Sequence, residues 1–309
     1  MRFSISLPQR DVDGFDAAAF KDYLTRAEDL GFEGGWTLEQ TIGAAPLIAP
    51  MELLAYAAAC TTRLRLGVAV MVTSLHDPLQ LASVATAVDR LSHGRLDFGV
   101  APGGGRRQFA AFGVDPDTFI GSFTEGLELM KAAWSDEAEV TFHGRFRDVD
   151  GLPISPKPVQ RPHPPIWFGA NAPKAIARAV RYGDAFLGAG SSTTASFVEA
   201  VKVVRSELDA QGKDPAHFPI AKRVYLMVDD DAARARDRVV AGLHRIYGDV
   251  MPGIEDVPVS GTPDDVAAGL REVIDAGAQM ILLNPVGQTI PEDREQMERL
   301  AADVIPQLS

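Results

Sequence analysis

Glu39 and Gln40 close a short apolar run, Gly34 to Leu38, that carries a tryptophan. A carboxylate at the end of a buried run can hold a polar cofactor edge or take a proton. The plainer reading is a solvated loop acid. A second segment, Ala101 to Gly105 (APGGG), lets a ligand approach the backbone closely, because glycine presents no side chain. It serves equally as a tight turn. Arg106 and Arg107 follow it and can pair with a phosphate or carboxylate, or simply begin a helix in solvent. Two stretches suit an anion: Gly169-Ala170-Asn171-Ala172-Pro173 and Gly188-Ala189-Gly190-Ser191-Ser192 each lead into a helical pattern. Free N–H groups at a helix N-terminus bind phosphate well, although helix caps need the same residue types. His76 precedes Asp77-Pro78 where a helix begins, a place more often structural than catalytic for histidine.

Other chemistries fall away. The six histidines show no H-E-x-x-H spacing, and Cys60 is the single cysteine, so the sequence holds no metal cluster. No G-x-S-x-G elbow marks a hydrolytic serine. A net charge of −12 argues against a nucleic-acid partner and against adsorption to anionic membranes. No apolar run is long enough to cross a bilayer. The start, MRFSISLPQR, lacks the features of a signal peptide, and one lone cysteine suits a reducing cytoplasm. The expectation is a cytoplasmic protein acting on a small organic molecule.

Short apolar runs alternate with helical patterns along the chain, and these must position the candidates. Strands are expected at Phe3 to Leu7, Gly34 to Leu38, Leu64 to Val72, Leu96 to Val100, Ile166 to Gly169, Ala185 to Leu187, Lys222 to Val228 and Met280 to Asn284. Each precedes a helical pattern, the last covering about Pro291 to Ile305. The third run (LRLGVAVMV) is almost wholly apolar, as in a parallel strand buried on both faces. Eight strand–helix units predict a closed (β/α)8 TIM barrel, with an open Rossmann-like sheet as runner-up. No G-x-G-x-x-G follows the first strand. Residues 1–309 are read as one barrel domain with insertions after strands four and seven, at about 135–165 and 248–260. The first insertion contains a hairpin, Val140 to Val149, turning at His143-Gly144. Barrel active sites lie at the C-terminal ends of the strands, where all the candidates above fall.

The chain also resembles the luciferase-like oxidoreductases, a group that includes flavin monooxygenases and deazaflavin (coenzyme F420)-dependent enzymes. The segments that carry the resemblance are 27–40, 61–70, 76–103, 111–115 and 156–190. It implies the same barrel, commonly a homodimer, with a non-proline cis peptide in the third strand behind the cofactor ring. That bond matches Ala69-Val70. Gly103 and its neighbours Pro102, Gly104 and Arg106 match the turn lining the cofactor. Gly169, Ala170 and Asn171 match the segment near the cofactor's ribityl-phosphate end, and Gly188 and Ala189, small residues before a helix, are further cofactor-binding candidates. Glu39, Gln40 and His76 are the candidate catalytic positions.

Two departures qualify the resemblance. Many members have histidine where this chain has Gln40, and an amide cannot serve as an acid at neutral pH. The luciferase subgroup has a phosphate-binding arginine where this chain has Pro102. The leading expectation is therefore hydride transfer between reduced F420 and an organic substrate. The alternatives are an FMN-dependent monooxygenase using oxygen, with a separate reductase as partner, and a non-catalytic flavin-binding homologue. An unrelated phosphate-binding barrel is a further reading, favoured by a trans Ala69-Val70 bond.

Overall fold

Strand and helix signals in the sequence translate into alternating elements in the computed structural model. It describes residues 1–11, 14–43, 45–248 and 251–308, and the Arg106 side chain lies outside the described residues. In chain order they are β1 Arg2–Ser6, α1 Ala17–Asp29, β2 Gly34–Thr37, α2 Pro50–Cys60, β3 Arg65–Val72, α3 Pro78–Leu91 and β4 Leu96–Ala101. Next come α4 Arg106–Phe112, α5 Phe119–Trp134, β5 Glu139–His143, β6 Asp148–Pro153, β7 Ile166–Gly169, α6 Pro173–Tyr182 and β8 Ala185–Gly188. The chain continues with α7 Thr194–Ala210, β9 Ile220–Val228, α8 Ala232–Tyr247, β10 Val259–Gly261, α9 Pro263–Asp275, β11 Met280–Pro285 and α10 Ile290–Arg299.

Local chemistry sets these limits. Asp16 caps α1 by accepting from the Ala18 and Ala19 N–H groups, and Phe20, Tyr23, Leu24 and Ala27 form its buried stripe. Asp77 caps α3 in the same way, with Pro78 in the first turn. Thr262 and Asp265 form a reciprocal capping box on α9. Every residue of β11 is buried, as a strand covered on both faces must be.

The strands pair in parallel in the order β1, β2, β3, β4, β7, β8, β9, β11 and back to β1, so the sheet closes into an eight-stranded barrel. This is the (β/α)8 TIM barrel expected from the sequence. Its interior is filled by Trp36, Ala69, Trp167, Ala185, Leu187, Ala221, Met280 and Leu282. The two indoles meet edge to face, with centroids 5.6 Å apart and planes at 89°. Gly67 makes room for this: a Cβ there would lie 2.1 Å from the Trp36 ring. A larger apolar layer packs between the outer strand faces and the helices.

Three local expectations change. The stretch 248–260 is not wholly irregular: Val259–Gly261 adds a strand along the end of β9, and Ile254–Asp256 makes a 3-10 turn; 249 and 250 lie outside the described residues. The last helix is regular only to Arg299, then widens into a π turn at Leu300–Val304 and tightens over Ile305–Leu308. The hairpin turns over Gly144 to Arg147, not at His143-Gly144, because Glu125 on α5 accepts from the Arg145, Phe146 and Arg147 N–H groups at 2.7–2.8 Å.

Candidate active site

The centre of the barrel mouth is a break in β3. Pairing with β4 slips between Val68 and Met71, and the Ala69-Val70 peptide is cis. Neighbouring strands make space for the bulge with glycines. A Cβ on Gly99 would lie 1.9 Å from the Val68 carbonyl, and one on Gly169 3.0 Å from Val70 Cγ1. Gly103 sits at φ +74°, where a side chain is strained, and its Cβ would lie 2.5 Å from Val72 Cγ1. Gly104 has nothing within 4 Å of that position and faces open space. Pro102, Gly103 and Gly104 thus form a bare rim next to the bulge. Asn171 is exposed beside it, past the buried Ala170.

Glu39 and His76 come together behind this rim. Glu39 Oε1 lies 2.6 Å from His76 Nε2, and its Oε2 accepts from the Val72 N–H at 2.5 Å. The Glu39 N–H donates to the Val70 carbonyl at 3.4 Å. The Glu39 side chain is 3% exposed, so the solvated-acid reading does not describe it. The carboxylate braces the end of β3 against β2. Just past β3, the hydroxyls of Thr73 and Ser74 are buried without a partner among the described residues.

Gly188 and Ala189 lie on the far side of the mouth, around Lys222. This buried lysine donates from Nζ to the Ala189 carbonyl at 2.6 Å, the Ser192 carbonyl at 2.7 Å and Ser192 Oγ at 3.0 Å. Burial, with Arg223 adjacent, pulls its pKa down to about 7. Its donors are therefore committed to shaping the 188–192 loop. Asp229, at the end of β9, is taken up by Arg234 and Arg238, and the Arg234 guanidinium holds it well below the usual carboxylate range.

Beside the bulge opens a cavity of about 320 Å³ over β1, β2 and β11. Gln40 lines it, as do the strand-end candidates Pro8, Gln9 and Asn284. Arg223, which the strand pattern did not single out, defines its inner end. Arg223, on β9, donates from Nε to Asn284 Oδ1 at 2.7 Å and from a terminal nitrogen to the Ala69 carbonyl at 3.3 Å. It lies 5.0 Å over the Tyr225 ring, and the Tyr225 and Tyr247 hydroxyls sit 2.8 Å apart. Arg223 therefore ties the seventh barrel strand to the bulge on the third. At the outer end Asp293 accepts from the Gly287 N–H at 3.0 Å. Burial raises its carboxyl to about 7, against the opposing pull of Arg10. One signal for Arg223 was present: Lys and Arg side by side inside an otherwise apolar strand (IAKRVYLMV).

A flat cofactor ring fits this arrangement. The bulge offers backbone bearing only small side chains, the glycine rim leaves one side open, and two orphaned hydroxyls lie just beyond it. Among the described residues no group of His, Cys, Asp and Glu could hold a metal ion, and no helix is long and apolar enough to cross a membrane.

Comparison with known proteins agrees with the fold. The uncharacterized protein y4vJ of Sinorhizobium fredii is 31% identical over 179 residues, covering 57% of this chain and 51% of that protein. The chain thus spans about half the length of that relative. Similarity to the F420-dependent glucose-6-phosphate dehydrogenase of Kineococcus radiotolerans extends further, at 25% identity over 96% of this chain and 95% of the other. Among solved structures, the monooxygenase RslO1 from Streptomyces bottropensis superposes with a TM-score of 0.86 at 24% identity, over all of both chains. The oxygenating constituent of 3,6-diketocamphane monooxygenase from Pseudomonas putida, in complex with FMN, gives 0.80 at 16% identity, covering all of this chain and 99% of that one. The luciferase-like monooxygenase family matches residues 1–280, and the chain belongs to that family.

Proposed function

We propose that this protein is an oxidoreductase that transfers a hydride between reduced coenzyme F420 and an organic substrate. The observation that carries the redox reading is the bare shelf at Ala69-Val70, rimmed by glycines, with Arg223 reaching from its Ala69 carbonyl to the wall of a cavity of about 320 Å³. The deazaflavin choice rests on two supports: Pro102 in place of the phosphate-binding arginine of the luciferase subgroup, and similarity along nearly the whole chain to an F420-dependent relative.

A reduced deazaflavin supplies the hydride. The chain's own residues orient and shield. The bulge would back one face of the cofactor ring, and Glu39 with His76 holds the end of β3 that forms it. Trp36 and Leu38 line the adjoining cavity and keep water from its apolar wall. Gln40 can hydrogen-bond a substrate oxygen from that wall but cannot protonate it.

Anaerobic titration of the purified protein with F420 and with FMN, followed by absorbance, tests the reading. Saturable F420 binding with weak FMN binding is expected. Tight FMN binding without F420 binding replaces it with the monooxygenase reading, supplied by a separate reductase. Binding of either cofactor without turnover across alcohols, aldehydes and ketones would make the protein a non-catalytic homologue. The family resemblance also carries a homodimer, to be seen in light scattering as twice the chain mass of 33.1 kDa.

A further inference from the structure

Arg223 is a half-buried cation with no anion beside it among the described residues. Its partners are the Asn284 amide oxygen, the Ala69 carbonyl and the Tyr225 ring, all of them neutral. No carboxylate among the described residues lies within ion-pair distance of it. The carboxylates that line the same cavity are engaged elsewhere: Asp16 accepts the Ala18 and Ala19 N–H groups on α1, and Asp293 accepts the Gly287 N–H. A guanidinium carries a planar fork of five donors. Two bonds leave most of that fork free, including both N–H groups of one terminal nitrogen. Withdrawing a charge from water is costly unless a counter-charge arrives, and this fork lines a cavity.

The rest of that cavity is mainly apolar, with Trp36, Leu38, Leu47, Ile246 and Leu282 in its wall. We propose that it receives a mainly apolar organic carboxylate, whose two oxygens dock on the free edge of the Arg223 guanidinium while its hydrocarbon body lies against these side chains. Carboxylate and guanidinium match as a bidentate pair, which no single carbonyl or hydroxyl reproduces. A volume of about 320 Å³ is at the small end of small-molecule sites, so the acid is compact. That this acid is the substrate rests on the redox reading above; its docking on Arg223 does not.

The test uses the full chain without cofactor. Phenylacetate and cyclohexanecarboxylate are titrated against their methyl esters and primary amides, by calorimetry and by tryptophan fluorescence. The acids are expected to bind at least tenfold more tightly than the neutral partners of the same shape. Arg223→Met should abolish the preference, and Arg223→Lys should keep only part of it. Equal affinity for acid and ester, or no binding of either at millimolar concentration, overturns the proposal. This comparison is made on the wild-type protein, so it stands even if the variants fold poorly. The titration is then repeated with saturating F420. Joint binding supports the proposal, while competition assigns the fork to the cofactor and overturns it. F420 binding by itself is scored separately, so failure of the redox reading is distinguishable from failure of the acid site.

Discussion

Lys222 sits among neutral acceptors, and its protonation opposes folding. Its pKa in the folded chain is about 7, against 10.5 for an ordinary lysine. The unfolded chain therefore binds more protons across that interval, and stability rises with pH through it. Urea denaturation should show the wild type gaining stability between pH 7 and pH 9, and Lys222→Met should flatten that gain. Glu39 poses the opposite case, a buried acceptor serving a backbone donor. Glu39→Ala leaves the Val72 N–H unpaired and should cost about 1–3 kcal/mol in a thermal melt. Glu39→Gln, which can still accept that bond, should cost clearly less. The sequence placed Glu39 at the right end of the right strand but not its bond to His76, because the two are 37 positions apart and meet only through the barrel. Arg223 was less legible still. A strand reading records which residues are apolar, and only closure of the barrel shows that this one faces Ala69 across the interior.

At the scale of elements, β3 and the glycines around it behave as one unit. In the sequence, Gly103 and Gly169 read as places where a ligand approaches the backbone. The structure gives them, together with Gly99, a second duty, which is to admit the bulge of β3. Gly99→Ala would drive a methyl into the Val68 carbonyl, a backbone atom that cannot swing away. A loss of about 3 kcal/mol or more is expected, seen as poor soluble yield or a collapsed melting temperature. Gly104→Ala, with open space around it, should fold normally. Strands and helices with strong local signals were legible: β7, α3, α5 and α6 follow their apolar runs, prolines and caps. β10 was not, since three residues carry no period and only pairing with β9 makes them a strand. The π turn at Leu300–Val304 was hidden for a similar reason, because its residues have the composition of an ordinary helix.

For the molecule as a whole, two buried groups at the barrel mouth set opposing slopes of stability with pH. Asp293 titrates near 7 in place of 3.8, so the folded chain holds its proton longer and stability falls as pH rises between those values. Arg10, Glu292 and Tyr23 are the charged and titratable groups that act with it. Asp293→Asn should equal the wild type below about pH 4 and exceed it at pH 8 by about 2–4 kcal/mol, measured by urea denaturation. Lys222 gives the reverse slope above neutrality, so the contributions of the two groups together are least favourable near pH 7. Arg223 has a consequence of another kind. One guanidinium touches both the carbonyl behind the shelf and the space beside it, so whatever occupies one place is felt at the other. Linkage then requires reciprocity: if a molecule in the cavity sharpens the grip on the ring, the ring sharpens the grip on that molecule by the same factor. The order of arrival then leaves the final affinity unchanged, as any closed cycle requires, and governs only the rates.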